Sequence, residues 1–354
     1  MAELNPVLLP DDDVIDDGDS AIGDDAASST QSLSSSIVQY RKENGRTYHA
    51  YKDGKYNLPN DDLENERLDL QHHLFFLTYA DKLGLAPPNE VDSKVRRVLD
   101  LGTGTGIWAM DFADEHPESE VWLFDVGSKP YRSRQAQVTG VDLSPIQPSF
   151  VPPNVRFIID DIDEEWSYSE PFDYIHSRMM NFSVVDWTSY LHKIHDNLTP
   201  GGYVEIQEID INMTSDDGSL SDNHPLFKWR NLLKDASVKL GRPYASFDVI
   251  TKAMTEAGFT NLVDTRFKWP TNRWPKDKKY KELGMWNNEN TNAALEALSL
   301  ASFTRAFGWG REEVTVLLAD VRKDLNDPKV HAYWPMHLLH LREETRSVRP
   351  SIVQ

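Results

Sequence analysis

The sequence predicts an α/β fold built on a mainly parallel sheet. Short apolar runs alternate with stretches of helical periodicity along most of the chain. One such run, Val95 to Leu101, feeds directly into Gly102-Thr103-Gly104-Thr105-Gly106 and then into a helical stretch. A second tight turn, Pro200-Gly201-Gly202, separates another helical stretch from another apolar run.

The elements follow in order. Residues 1–40 carry nine acidic side chains and no Lys or Arg, and residues 26–36 are rich in Ser, Thr and Ala. Such a segment buries too little apolar surface to offset the entropy of ordering it, so residues 1–38 read as a disordered acidic tail and the folded domain as 39–345. Asn60-Asp61-Asp62 precedes a helix over 63–83, with Leu63, Leu70, Leu74 and Leu77 at helical spacing and Pro87-Pro88 beyond its end. Residues 45–86 read as a helical N-terminal lid. Val95–Leu101 is a short buried strand and 107–115 a helix. Val141-Asp142 ends a second strand, Val155–Ile159 is a third and Phe172–His176 a fourth. A helix over 187–197 leads through the Pro-Gly-Gly turn to a strand over Tyr203–Ile209. Later helices are expected near 225–240, 246–257, 279–307 and 311–325, with a strand near Leu262–Phe267. The stretches at about 212–245 and 270–325 read as a helical cap rich in Trp. Trp334–Leu339 is the last strand; the chain from Arg342 on reads as frayed, 346–354 above all.

Composition narrows the function. The 354 residues carry 37 basic and 57 acidic side chains, a formal charge of −20, which argues against nonspecific nucleic-acid binding. Hydrophobic residues make up 39% and include ten Trp, enough for a core. The cysteine count is zero, which excludes disulfides, thiolate metal sites and cysteine nucleophiles. No apolar run reaches the length of a membrane span, and the acidic start lacks a secretory or mitochondrial pattern. The expectation is a soluble intracellular chain, cytoplasmic or nuclear, with no membrane or nucleic-acid partner. No His/Asp/Glu group has metal-ligand spacing, and Asp160-Asp161-Ile162-Asp163-Glu164-Glu165 reads as a strand-end loop, so no metal is expected.

The glycine loop carries the chemistry. A strand running into three alternating glycines lets backbone approach a ligand closely and opens amide N–H groups at a helix start. Alone, the pattern also fits a dinucleotide loop and hence a nicotinamide oxidoreductase. Asp100 separates the two. A carboxylate just before the first glycine repels a pyrophosphate and favours a cationic ligand, such as the amino group and sulfonium of S-adenosylmethionine. Asp142 stands where a carboxylate can accept both ribose hydroxyls, and Asp161 with Ile162 where adenine can be held.

Taken together, these segments resemble the class I S-adenosylmethionine-dependent methyltransferases with a Rossmann-like, seven-stranded sheet, and more closely the fungal LaeA-type (TAM-domain) members linked to secondary metabolism. The resemblance rests on Tyr48-His49-Ala50-Tyr51-Lys52-Asp53-Gly54, on Asn65 to His73, on the glycine loop, on Gly140-Val141-Asp142-Leu143-Ser144-Pro145-Ile146-Gln147-Pro148, and on Phe172 to Met180. It covers about residues 45–335. It implies that Gly102, Thr103, Gly104 and Gly106 pack against the methionine moiety and that Asp100 holds its amino group, directly or through water. It further implies that Asp142 binds ribose and that Asp161 and Ile162 bind adenine. Ser177 and Arg178 would face the methyl-transfer site.

One departure stands out. A ribose-binding acid normally falls about 20 residues beyond the glycine loop. Asp125 has that spacing, whereas Asp142 lies further along but carries the family's flanking residues. Asp142 is the preferred candidate. The excess, residues 122–138, reads either as a translated, unspliced intron that keeps the reading frame or as a surface loop.

Methyl transfer chiefly needs alignment, and an oxygen nucleophile can also need a base. Candidates are His176, His72, His73 and His224, with Tyr48 as a hydroxyl; each is also explicable as a packed residue. The favoured function is methylation of a small-molecule acceptor from secondary metabolism. A regulator working through a protein partner is the alternative, and an NAD(P)-dependent oxidoreductase is a weaker third.

Overall fold

The computed structural model describes residue 37 and residues 39–117 and 136–343. The expected acidic tail other than residue 37, Asp125 with most of the 122–138 excess, and the 346–354 end lie outside the described residues.

The chain opens with a small hairpin, β1 (Arg41–Glu43) paired antiparallel to β2 (Arg46–Tyr48). Then comes α1 (Asp62–Thr78), whose N-cap Asp61 accepts from the Glu64 N–H. This helix stops earlier than its apolar spacing predicts, because Ala80 and Asp81 adopt left-handed backbone.

The central sheet is built from β3 (Arg97–Leu101), β4 (Gln137–Asp142), β5 (Val155–Ile159), β6 (Phe172–Arg178), β7 (Leu198–Ile209), β9 (Thr260–Pro270) and β10 (Ala332–Arg342). Its order is β5-β4-β3-β6-β7-β10-β9. The first five are parallel to their neighbours, and β10 runs antiparallel to both β7 and β9. The expected seven strands are present, with one addition: the two-residue β8 (Thr214–Ser215) pairs with the start of β10, so the described sheet has eight. Strand β10 also corrects the expected fraying at Arg342. That residue pairs with Tyr203, while the Glu343 N–H donates to the Gly202 carbonyl and the Gly201 N–H to the Glu343 carboxylate.

Three apolar clusters flank this sheet. α2 (Ile107–Glu115) packs Trp108 and Phe112 against Val98 and Val138 on one face. α3 (Trp187–Asp196) and α5 (Phe247–Glu256) pack Leu191, Ile194 and Ile250 against Leu99 and Ile175 on the other. The third cluster joins α1 to α4 (Pro225–Lys239), the long α6 (Lys278–Phe307) and α7 (Arg311–Asn326), through Leu74, Trp229, Leu295 and Val321. These four helices cap the sheet. The strand order reverses direction at β3, with β4 on one side and β6 on the other, and ligands bind beyond the carboxyl ends of parallel strands at such a point.

Candidate active site

At that point β3 ends in the glycine loop. Gly102, Gly104 and Gly106 have φ of 69°, 56° and 82°, the left-handed region that side chains resist. The Gly102 and Thr103 N–H groups both donate to the Val141 carbonyl at 3.0 Å, which fastens the loop to β4. Space divides the glycines by role. A Cβ on Gly104 would meet only Leu68 Cδ1 at 3.4 Å, so this residue faces an open cavity. A Cβ on Gly106 would stand 2.4 Å from the Phe157 ring, so Gly106 serves the packing of α2 against β5.

The cavity has a volume of about 240 Å³. Of the residues the resemblance places at the cofactor, Gly102, Thr103, Gly104, Asp142, Asp161, Ile162 and Arg178 line it. Asp142, at the end of β4, accepts from the Gly104 N–H at 2.9 Å and from the Ser144 N–H at 3.0 Å. Burial pushes its carboxyl up to about 6. Gln147 holds the other side of the same glycine, donating to the Gly104 carbonyl at 2.6 Å. The family-like segment from Asp142 to Gln147 therefore clamps the loop. Asp161 accepts from the Asp163 N–H and pairs with Lys55. Burial works to raise the Asp161 carboxyl, but the Lys55 ammonium, the Asp163 N–H and the Arg242 charge together hold the group below the usual range.

Three of the expected residues are not among those that line the cavity. Asp100 lies behind the loop: its two carboxylate oxygens accept from the Thr103 hydroxyl at 2.6 Å and from His176 Nδ1 at 2.7 Å. These bonds orient the loop. Ser177 is fully buried and shares a hydrogen bond with the Tyr190 hydroxyl of α3. Gly106 packs as described above.

None of the proposed bases lines the cavity either. Burial lowers His176, so its neutral ring donates to Asp100; it stacks on Trp108 with centroids 3.7 Å apart. His72 bridges Arg178 and Asp111. Since Arg178 can only donate, His72 Nδ1 accepts and its Nε2–H donates to Asp111. This relay fixes the Arg178 guanidinium, which lies 4.8 Å over the Phe75 ring and reaches the cavity. His73 is exposed and packs edge-on to Trp286. His224 caps the start of α4 with its ring bonded to Ser221, on a surface groove of the cap. Tyr48 is buried beneath the Arg305 guanidinium, and burial pushes its hydroxyl up to about 12.

The residues that do face the cavity were mostly silent in the sequence. The buried face of α1 is polar: Glu64, Arg67 and Gln71 line the cavity, and Arg67 binds Glu64 bidentately and donates to Asn290 of α6. Arg242 lies between elements, donating to the Lys55 carbonyl, the Ser183 carbonyl and the Asp163 carboxylate. Glu208 ends β7 and accepts from the Met180 N–H; burial pushes it up to about 8. His49 also lines the cavity, its Nε2–H donating to the Lys52 carbonyl. Of the cap tryptophans only Trp229 reaches the cavity, joined by Trp334 from β10. Trp269 and Trp274 are core. Among the described residues there is no group of three metal-ligating side chains, and no helix is long and apolar enough to cross a membrane.

The donor set suits S-adenosylmethionine. Carboxylates lie at the end of β4 and just beyond β5, and the glycine turn after the adjacent β3 leaves open space at Gly104.

Comparison with known proteins agrees with this geometry. The methyltransferase-domain family matches residues 70–263. The methyltransferase pytC of Aspergillus terreus is 39% identical over 308 residues, covering 87% of this chain and 89% of its own. The protein-methionine methyltransferase laeA of Emericella nidulans is 35% identical over 328 residues, covering 92% and 82%. The secondary metabolism regulator laeA of Aspergillus fumigatus is 35% identical over 326 residues, covering 91% and 82%. With a strand-ordered sheet, a clamped glycine loop and relatives matched over most of their length, the chain belongs to the fungal LaeA-type family of S-adenosylmethionine-dependent methyltransferases.

Proposed function

We propose that this methyltransferase acts on a small apolar acceptor within a secondary-metabolite route. The observation that supports this is the continuity of the cavity, which runs from the glycine loop and Asp142 to Trp229 and Trp334 under the cap. A concave pocket that joins charged side chains such as Glu64 and Arg178 to apolar ones such as Ile211 and Leu298 takes a compact molecule more readily than a segment of folded protein.

S-adenosylmethionine supplies an activated methyl group carried on a sulfonium. In this reading the Gly102–Gly104 turn lies against its methionine part, Asp142 accepts from the ribose hydroxyls, and Asp161 with Ile162 holds the adenine. Asp100, through Thr103 and His176, keeps the loop in place. The cap excludes water, and Arg178, braced by His72 and Asp111, stands on the acceptor side.

Two experiments test this. Calorimetry should detect S-adenosylmethionine and not NADH; no binding of the former at millimolar concentration would remove the reading. Metabolite profiling of a deletion strain should lose one methylated product. The names of the laeA relatives favour a second reading, regulation through a protein partner, and broad change across many pathways would support it instead.

A further inference from the structure

We propose that Glu208 takes the proton from the methyl acceptor, and that the acceptor is an apolar, ring-bearing molecule whose nucleophile is an ionisable hydroxyl such as a phenol or enol. This rests on the small-molecule reading above.

Glu208 ends β7 at the carboxyl edge of the sheet, lines the cavity and is 1% exposed. A single residue links it to the glycine loop. The Met180 N–H donates to Glu208, and the Met180 sulfur lies where a Cβ on Gly102 would stand 2.3 Å away. The same lining holds Ile211, Trp229, Leu298 and Trp334, beside the polar Asn287 and Asn290 of α6. The carboxyl thus shares one cavity with the glycine loop and with large apolar side chains that suit a ring-bearing molecule.

Its bonding is unusual for a structural carboxyl. Glu64, the cavity carboxyl of α1, is neutralised by a bidentate Arg67. Glu208 has no ion-pair partner among the described residues and accepts only from backbone, at Met180 and Asn181. The titratable groups around it are otherwise engaged. Arg178 bonds His72, Tyr190 bonds Ser177, Tyr244 bonds Asp210, and Arg67 bonds Glu64. A cap for two amides needs only an acceptor oxygen, and an unpaired buried carboxyl is costly unless it works. Burial raises it toward neutral pH, where a general base is most effective. His49, the histidine lining the cavity, is tied through its Nε2–H to the Lys52 carbonyl.

The step balances. A lone pair of the acceptor oxygen forms the new O–CH3 bond, the methyl–sulfur bond breaks with its electrons remaining on sulfur, and the hydroxyl proton passes to the Glu208 carboxylate. Solvent later removes that proton.

The test uses the Glu208→Gln allele in the source strain, beside the deletion strain and a Glu208→Asp allele. Gln keeps the oxygen that caps Met180 and loses the base. The expected result is a fall of roughly 100-fold or more in the methylated product for Gln and a partial recovery for Asp. The purified Gln variant should bind S-adenosylmethionine within about threefold of the native protein by calorimetry. Infrared titration of the native protein should show a protonated-carboxyl band that fades through about pH 8 and is absent from the variant. With an organic extract of the deletion strain as acceptor and methyl-labelled cofactor, label incorporation should rise with pH over the same range. A Gln allele that restores the product lost on deletion overturns the role of Glu208 alone. A deletion that loses no methylated product overturns the small-molecule reading and this proposal with it.

Discussion

Substituting Gly104 by Val separates ligand binding from folding. At Gly104 φ is 56°, and the only heavy atom near a new Cβ is Leu68 Cδ1 at 3.4 Å. The cost to folding is then the left-handed backbone of a β-branched residue, about 2 kcal/mol. For a chain of this size that lowers Tm by about 3 °C. The isopropyl group points into the space where the methionine moiety is expected, and a loss of at least roughly 100-fold in affinity, about 2.7 kcal/mol, should follow. Gly102→Ala is the counterpart. Its Cβ would lie 2.3 Å from Met180 Sδ and 2.9 Å from Cε, and Met180 is buried. Displacing that side chain adds about 1–3 kcal/mol to a backbone cost of about 1 kcal/mol. Gly102→Ala should therefore be the less stable of the two. Thermal denaturation and calorimetry with S-adenosylmethionine on the purified variants measure both quantities. Unchanged affinity in Gly104→Val refutes the assignment of the loop, and a Gly102→Ala protein as stable as the native one refutes the packing argument.

Three further outcomes are expected. Arg242→Ala leaves Asp163 without its cation and releases the Lys55 segment, so stability should fall by about 3–5 kcal/mol in chemical denaturation, with Arg242→Lys recovering only part because it cannot fork between partners. Burial raises Glu205 to about 7 and Asp142 to about 6, both above their unfolded values. Their stabilising contribution is thus complete below about pH 4 and is lost as pH rises through 6 and 7. Glu205→Gln should gain Tm relative to the native protein as pH rises from 5 to 8, and a difference that stays flat in melting curves across that range would contradict the sign. Finally, a chain lacking residues 122–138 would bring Glu120 and Val121 to the positions of Gln137 and Val138 at the start of β4. It should fold with Tm within a few degrees of the full chain, and sequencing of the mature transcript shows which chain is made.

The reach of the sequence can be judged at particular residues. The glycine loop, its strand and its helix were legible because backbone that needs φ above zero requires glycine, and this is a local demand. Strand Val155–Ile159 and helix Ile107–Glu115 fall where their apolar runs predict. Helix α1 was found but its face was misjudged, since Leu63 is exposed while Glu64 and Arg67 are buried. Charged residues at helical spacing look like a solvated face until the cavity and Asn290 of α6 are brought against them. The histidines misled for the same reason. His176 follows a motif at a strand end, yet its side chain serves Asp100 and stacks on Trp108.

What the sequence by itself determined is the order of the main strands and helices, the glycine loop and the family, because each depends on short-range pattern and on residue types placed at fixed spacing. What only the tertiary structure decided is which carboxylates face the cavity and which stand behind it. Asp100 and Asp142 both end strands beside glycines, but one is consumed by Thr103 and His176 and the other clamps Gly104 from within the cavity. Glu64 is paired with Arg67, whereas Glu208 accepts from backbone. Some of this partnering is long-range, as between Asp100 and His176, 76 residues apart, or Arg67 and Asn290, 223 residues apart, and burial gives it its energy. Neither separation nor burial is written in local sequence.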